Sequence, residues 1–415
     1  MNRRQALLSI GGTVLLSSTL KSALAQGPEV VIGAIYPMSG PNAQVGVDAR
    51  HAFDIALDVI NNVTNLDLPT AKNAGLAGLA NAKVRVVYAD HQADPQKGRS
   101  EAERLITQEK VCAIVGCFHS SVSATVSATC ERYGVPFVCA DSSSPSLHRR
   151  NLKFFFRTAA HDEMFSEAMF NFLDALKAKG QKIGSVGLFY EDTIFGSDSA
   201  NVQRKLAQER GYKVASDIKY RNNSPSLSAE VQQIKSANPD VLMPSSYTTD
   251  SILLIKTLAE LGYKPHNIIA QAAGFVEKPT LDAVGDRLTG MISRASFSVD
   301  LGDKRASARA VNEKFKTAAG RDLNDQTSRQ FTALLVLADA IDRARSTEPQ
   351  KIRDALAATD IPGERTIMPW SRVKFGADGQ NSFASPVLIQ YVKGRFVTVY
   401  PFEVAGAQPI WPMSA

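Results

Sequence analysis

Two hydroxyl-rich stretches carry the residues best suited to holding an anion. Cys117-Phe118-His119-Ser120-Ser121 follows the apolar run Ile114-Val115-Gly116, and Ala140-Asp141-Ser142-Ser143-Ser144-Pro145-Ser146 follows Phe137-Val138-Cys139. Each leads towards a helix start, where backbone N–H groups without intrahelical partners and the helix dipole favour negative charge. Serine hydroxyls add donors that rotate to suit a carboxylate. Ser, Asp and Pro serve equally well in caps and turns. Ser144 and Ser146 are assigned to that structural role, and Ser120, Ser142 and Ser143 to ligand contact.

Residues of catalytic type do not assemble in the same way. The chain has no HExxH, GxSxG, phosphate-loop or GxGxxG pattern, so the common hydrolase and nucleotide-binding chemistries lack their machinery. His119 beside Ser120 is the nearest approach to an activated nucleophile, but neighbouring side chains at a helix start diverge. Asp90-His91 and His161-Asp162 are also mere neighbours in sequence. The spacing of Cys112, Cys117, Cys130 and Cys139 matches no zinc pattern, and no metal or cofactor is expected. A disulfide among these cysteines stays open. An oxidising compartment would permit one, whereas Cys112 and Cys139 lie in apolar runs where a free thiol acts as a small hydrophobe.

The elements around these loops alternate. Short apolar runs at 30–35, 83–88, 111–116 and 135–139 are separated by helical patterns near 46–60, 95–109 and 120–132. Such βα units build a parallel sheet with helices on both faces. The pattern restarts after Arg157, with a helix near 162–178 and strands at 183–190, 213–220, 241–244, 268–270 and 290–294. Helices are expected near 303–318, 325–345 and 349–358, then a hairpin turning at Lys393-Gly394. Residues 61–82 form an unusually long connection. The fold class is therefore α/β in two lobes. Residues 28–157 with 297–360 are assigned to lobe one, and 158–296 with 361–415 to lobe two.

The loops also carry a resemblance. Ile32-Gly33-Ala34-Ile35-Tyr36-Pro37-Met38-Ser39-Gly40-Pro41 resembles the opening strand and loop of the leucine/isoleucine/valine-binding protein family. Asp90-His91-Gln92-Ala93-Asp94-Pro95, the two serine loops and Tyr190-Glu191-Asp192-Thr193-Ile194-Phe195-Gly196 resemble that family's other landmarks, in the same order, over nearly all of residues 28–400. The resemblance implies a type I periplasmic-binding-protein fold, with two α/β lobes, three hinge crossings and a ligand sealed between the lobes. It implies that Ser120 and Ser143 hold the ligand's carboxylate, with Ser142 supplying backbone contacts. The family's lobe-two aromatics fall on Phe195, which lacks the usual hydroxyl, and on Tyr247.

One departure bears on the ligand. Amino-acid binders of that family place an acid after the strand at Ile268-Ile269, against the ligand's ammonium. Here the loop reads Gln271-Ala272-Ala273-Gly274-Phe275. Burying an ammonium without a counter-charge is costly, so either Asp141 substitutes or the ligand has no ammonium. Phe275 would suit an apolar or aromatic tail. The expected function is the substrate-binding component of an ABC transporter for amino acids or related small carboxylates or amides. The alternatives are a binder of hydrophobic or aromatic carboxylates and a ligand sensor for a membrane receptor. The expected partners are the small molecule and an inner-membrane ABC permease, with no nucleic acid.

The first residues fit that location. Met1-Asn2-Arg3-Arg4, an apolar stretch from Ala6 to Leu20 and Ala23-Leu24-Ala25 follow the plan of a secretory leader over 1–25. Arg3-Arg4 resembles a twin-arginine signal, with an ordinary Sec signal as the alternative. No cysteine follows the cleavage site to take a lipid. Loss of the leader reduces the formal charge from +6 to +3, leaving 44 basic residues against 41 acidic ones, too even a spread for a polyanionic partner. The expected product is exported, soluble and periplasmic.

Overall fold

Strands buried on both faces need continuous apolar runs, and a crossover helix must follow each one if its neighbour is parallel. The computed structural model describes residues 29–413, and the expected leader lies outside them. Strands β1 (Glu29–Tyr36), β2 (Lys83–Asp90), β3 (Ala113–Gly116), β4 (Phe137–Cys139) and β5 (Phe155–Arg157) form a parallel sheet in the order β2-β1-β3-β4-β5. Helices Ala43–Asn61, Pro95–Thr107 and Ser120–Tyr133 make the crossovers. Three more helices, Ala306–Ala319, Asp325–Ala344 and Pro349–Ala357, add Val311, Phe315, Phe331, Leu334 and Ile352 to the same core as Val30, Ile32 and Phe53. This is lobe one.

Lobe two begins beyond Arg157. Strands β6 (Ser185–Glu191), β7 (Lys213–Tyr220) and β8 (Val241–Ser245) are parallel in the order β7-β6-β8. A bridge between Leu242 and Ile268 links them to β9 (Ile269–Ala270), which runs parallel to β10 (Ile292–Ala295).

The last part of the chain divides differently from the sequence reading, which placed all of 361–415 in lobe two. Strands β11 (Asp360–Pro362) and β12 (Arg372–Lys374) pair antiparallel. Around them Ile361, Ile367, Met368, Trp370, Val373, Phe375 and Ala384 enter the lobe-one core. Arg305 holds this segment by donating to the carbonyls of Gly363, Met368 and Trp370. Only with β13 (Val387–Val392), antiparallel to β10, and β14 (Arg395–Tyr400), antiparallel to β13, does the chain join lobe two. Apolar burial and one multidentate guanidinium keep 361–384 in lobe one.

Two further sequence features find a structural place. In the 61–82 connection, Leu68, Ala71 and Leu76 are buried in the lobe-one core, and Asp342 accepts from the Gly78 N–H at 2.7 Å. The connection therefore covers the end of the helix Asp325–Ala344. All four cysteines are buried free thiols, so the possible disulfide is absent; burial pushes the Cys139 thiol up to about 11.

Among the described residues no helix is long and apolar enough to cross a membrane. The crossings between lobes lie near 157–160, 295–298 and 379–386. The first and third are bonded to each other. Arg157 N–H donates to Gly379 O at 2.8 Å, and Asn381 N–H donates to Arg157 O at 2.9 Å. Arg157 Nε reaches Gln380 Oε1 at 2.6 Å, and Gln380 Nε2 reaches Ala159 O at 2.7 Å. Gly379 makes the approach possible. Its φ is +74°, and a Cβ there would fall 2.0 Å from Phe155 O. Gly379→Ala should therefore lower the unfolding free energy by about 1–3 kcal/mol in urea titration, with a smaller loss for Gly180→Ala, where no heavy atom lies within 4 Å.

Candidate functional site

The carboxyl ends of the central strands of both lobes converge, which is where open parallel sheets bind ligands. Phe118, Ser120, Asp141, Ser143 and Arg329 from lobe one meet Phe195, Tyr247, Ala273 and Arg294 from lobe two across one cleft. The lobes touch directly. Asn42 donates to Thr248 Oγ1 at 3.1 Å, and Ser120 N–H donates to Tyr247 OH at 3.4 Å. The cavity between the lining side chains measures about 10 Å³, so a ligand of amino-acid size enters only as the lobes part.

Each serine has a distinct situation. Gly116 ends β3 with φ +149°, where a Cβ would meet Ile35 O at 2.5 Å, and this sharp exit delivers Ser120 to a helix start that no side chain caps. Ser120 Oγ is buried and has no hydrogen-bond partner. Ser143 Oγ accepts from Arg294 Nη2 at 3.3 Å, and its carbonyl accepts from Asp162 N–H at 2.8 Å. Ser142 points elsewhere. Its hydroxyl lies 2.9 Å from Cys117 O, 3.0 Å from Phe118 O and 2.7 Å from Ser123 Oγ, so it ties the two loops together.

Asp141 is buried against lobe one. Its Oδ2 accepts from Tyr36 OH at 2.9 Å and from Gln330 Nε2 at 3.1 Å. Its carbonyl accepts from Arg329 at 3.0 Å. Oδ1 has no hydrogen-bond partner and lies 3.9 Å from Arg329. Burial pushes the carboxyl up to about 6, against the opposing pull of Arg329.

The aromatic side of the cleft is built around Tyr247, whose ring centroid lies 5.2 Å from Phe195, 5.3 Å from Phe118 and 4.5 Å from His119. Phe275 is not part of it. Ala272 and Ala273 adopt φ of 49° and 47°, and the tight turn that follows directs Phe275 into the lobe-two core with Leu254, Leu258 and Leu288. Ala273 lines the cleft instead. Five of the residues singled out from sequence thus share the cleft: Ser120, Asp141, Ser143, Phe195 and Tyr247. Ser142 supports it from behind, and Phe275 lies outside.

Family comparison agrees with this architecture. The description of periplasmic binding proteins matches residues 29–395. The chain belongs to the periplasmic binding protein family. A Leu/Ile/Val-binding protein homolog of Brucella suis is 28% identical over 406 residues, covering 94% of this chain and 96% of the relative. A leucine-binding protein of Thermotoga maritima superposes with a TM-score of 0.76 at 22% identity, covering 89% of this chain and 97% of the other. A solute-binding protein of Rhodopseudomonas palustris in complex with benzoate gives 0.74 at 17% identity, covering 89% and 95%. These relatives are all named as binding proteins. His119 Nε2 lies 3.3 Å from Asn42 Oδ1, and burial drives the imidazole well below its usual range.

This periplasmic binding protein also places charges in its cleft that sequence reasoning missed. Arg294 leaves the end of β10, and Arg329 lies one turn into the helix Asp325–Ala344. That helix begins with a capping box, in which Asn324 Oδ1 accepts from Gln326 and Thr327 N–H groups and Thr327 Oγ1 accepts from Asn324 N–H. The box fixes where Gln326, Arg329 and Gln330 fall. Two signals were legible: a lone arginine in the mostly apolar run Met291-Ile292-Ser293-Arg294-Ala295, and a polar i, i+3, i+4 set at Gln326, Arg329 and Gln330 just before the apolar stretch 333–338 of the same helix.

A cluster of His148, His161 and Glu163 brings possible metal-ligand atoms within 4.8 Å of one another. Cations oppose its use, because Arg157 donates to His148 Nδ1 at 2.6 Å and Arg149 pairs with Glu163.

The raised carboxyl of Asp141 has a consequence for stability. An acid whose folded value lies near 6 and whose usual value is 3.8 binds its proton more tightly when folded. It therefore penalises the fold above that window and relieves it below. The difference in unfolding free energy between the parent and Asp141→Asn should shift in the parent's favour as pH falls from about 6 to about 4, by at most about 3 kcal/mol. Denaturant titrations at stepped pH measure it, and a flat difference would show that Asp141 carries no such penalty.

Proposed function

We propose that this chain is the exported substrate-binding component of an ABC importer. It takes a small carboxylate between its lobes and presents the closed form to an inner-membrane permease. One observation carries the carboxylate: Ser120 Oγ is buried, has no partner in the protein and stands at an uncapped helix start facing the cleft. A buried hydroxyl left without a partner costs free energy unless a ligand completes it. Ser143 and Arg294 add donors from either side of the same cleft. Support also comes from the relatives. One is named for leucine, isoleucine and valine, one structural neighbour is a leucine-binding protein, and another was solved with benzoate. Branched-chain amino acids and aromatic carboxylates are the ligand classes these suggest. The leader expected over 1–25 supports a periplasmic location.

A thermal-shift screen of amino acids, amides and aromatic and aliphatic acids identifies the ligand. At a hundred times its Kd it should stabilise the protein by ~2.7 kcal/mol. Ser120→Ala should leave the unliganded melting temperature nearly unchanged, since no protein bond is lost. It should weaken binding roughly tenfold to a hundredfold, as for a hydrogen bond to a charged group. Parent-like affinity in both Ser120→Ala and Ser143→Ala would place the site elsewhere.

A further inference from the structure

Arg294 is 2% exposed, yet its bonds are long and incomplete. Nη2 lies 3.3 Å from Ser143 Oγ, Nη1 lies 3.5 Å from Asp325, Asp162 is 4.0 Å away, and Nε has no partner. Arg329 is better satisfied, at 2.9 Å from Asp325 and 3.0 Å from the Asp141 carbonyl. The Phe165 ring lies 3.8 Å from the Arg294 guanidinium carbon and fixes its plane. A buried guanidinium with a free Nε on a cleft wall is suited to a planar carboxylate bound edge-on.

We infer that Arg294 is the lobe-two anchor of the ligand's carboxylate, and that this ligand carries no ammonium. The inference rests on the carboxylate role proposed for the cleft. Ser120 and Ser143 grip the same carboxylate from lobe one, since Ser143 already lies against the guanidinium.

The charges lining the cleft argue against an ammonium. They are two guanidinium groups, Arg294 and Arg329, and one carboxyl, Asp141. Asp141 offers only Oδ1, with Arg329 beside it at 3.9 Å. Asp162 is committed to Ser199 and Gln271, each at 2.8 Å. Asp325 is committed to Arg329 and to the Ser296 N–H at 2.5 Å. Lobe two lines the cleft with Ala273 in the loop after β9; its nearby acids lie outside the lining, Glu191 buried near Tyr247 and accepting from Thr193 Oγ1 at 2.6 Å, and Glu277 buried beside Asp48, Arg321 and Gln326. Phe118, Phe195 and Tyr247 leave an apolar wall for the rest of the molecule.

Calorimetry with benzoate, benzamide, leucine and 4-methylpentanoate, within a wider panel of acids, amides and amino acids, tests this. The parent should bind acids more tightly than their amides, and 4-methylpentanoate more tightly than leucine. Arg294→Gln should weaken binding of the acids roughly tenfold to a hundredfold and abolish the acid-over-amide preference. Arg294→Lys should retain part of that preference. The acid-over-amide and leucine comparisons use the parent protein and stand even where a variant folds poorly. Tighter binding of leucine than of 4-methylpentanoate, or an unchanged acid-over-amide ratio in a folded Arg294→Gln, overturns the inference. Silence across the whole panel overturns the carboxylate reading of the cleft itself.

Discussion

Asp325 holds the junction of the two lobes together. Wholly buried at the start of the helix Asp325–Ala344, it accepts from the Ser296 N–H at a lobe crossing and pairs with both Arg329 and Arg294. A buried carboxylate is tolerated only when paired and hydrogen-bonded. Here its partners come from a hinge, from its own helix and from the far lobe. The positions of the two guanidinium groups, and so the sign of the cleft, follow from that one commitment.

Around this point the architecture is a division of labour. Lobe one contributes hydroxyls and an uncapped helix start, and lobe two contributes a guanidinium and aromatic rings. Neither half could enclose a ligand alone. Closure joins Phe195, Tyr247 and Ala273 to the apolar core of lobe one, so apolar burial and charge pairing favour the same state. Arg157, Gln380 and Asn381 keep the first and third crossings bonded to each other, so both strands of that pair must bend together as the lobes part.

The periodic elements were legible because their signals are local. The helix at Asp162–Ala178 and the strand at Lys213–Tyr220 coincide with the sequence reading, and the hairpin turns at Lys393-Gly394 as expected. Phe275 was misplaced because its direction depends on two alanines in a left-handed turn, a conformation that alanine's composition does not announce. Segment 361–384 was misplaced because its partner is Arg305, far away in sequence. Ser142 was assigned to ligand contact, but its hydroxyl turns inwards to tie its loop to Cys117 and Phe118.

By itself the sequence determined two α/β lobes, the two serine loops at strand ends and the absence of an acid after β9, since each is a matter of local pattern and spacing. Only the tertiary structure decided which charges face the ligand. Arg294 and Arg329 lie 35 residues apart on different lobes, and Arg294 reaches Ser143 across 151 positions. A buried charge acquires its meaning from the partners that surround it, and chain packing, not local periodicity, brings those partners together.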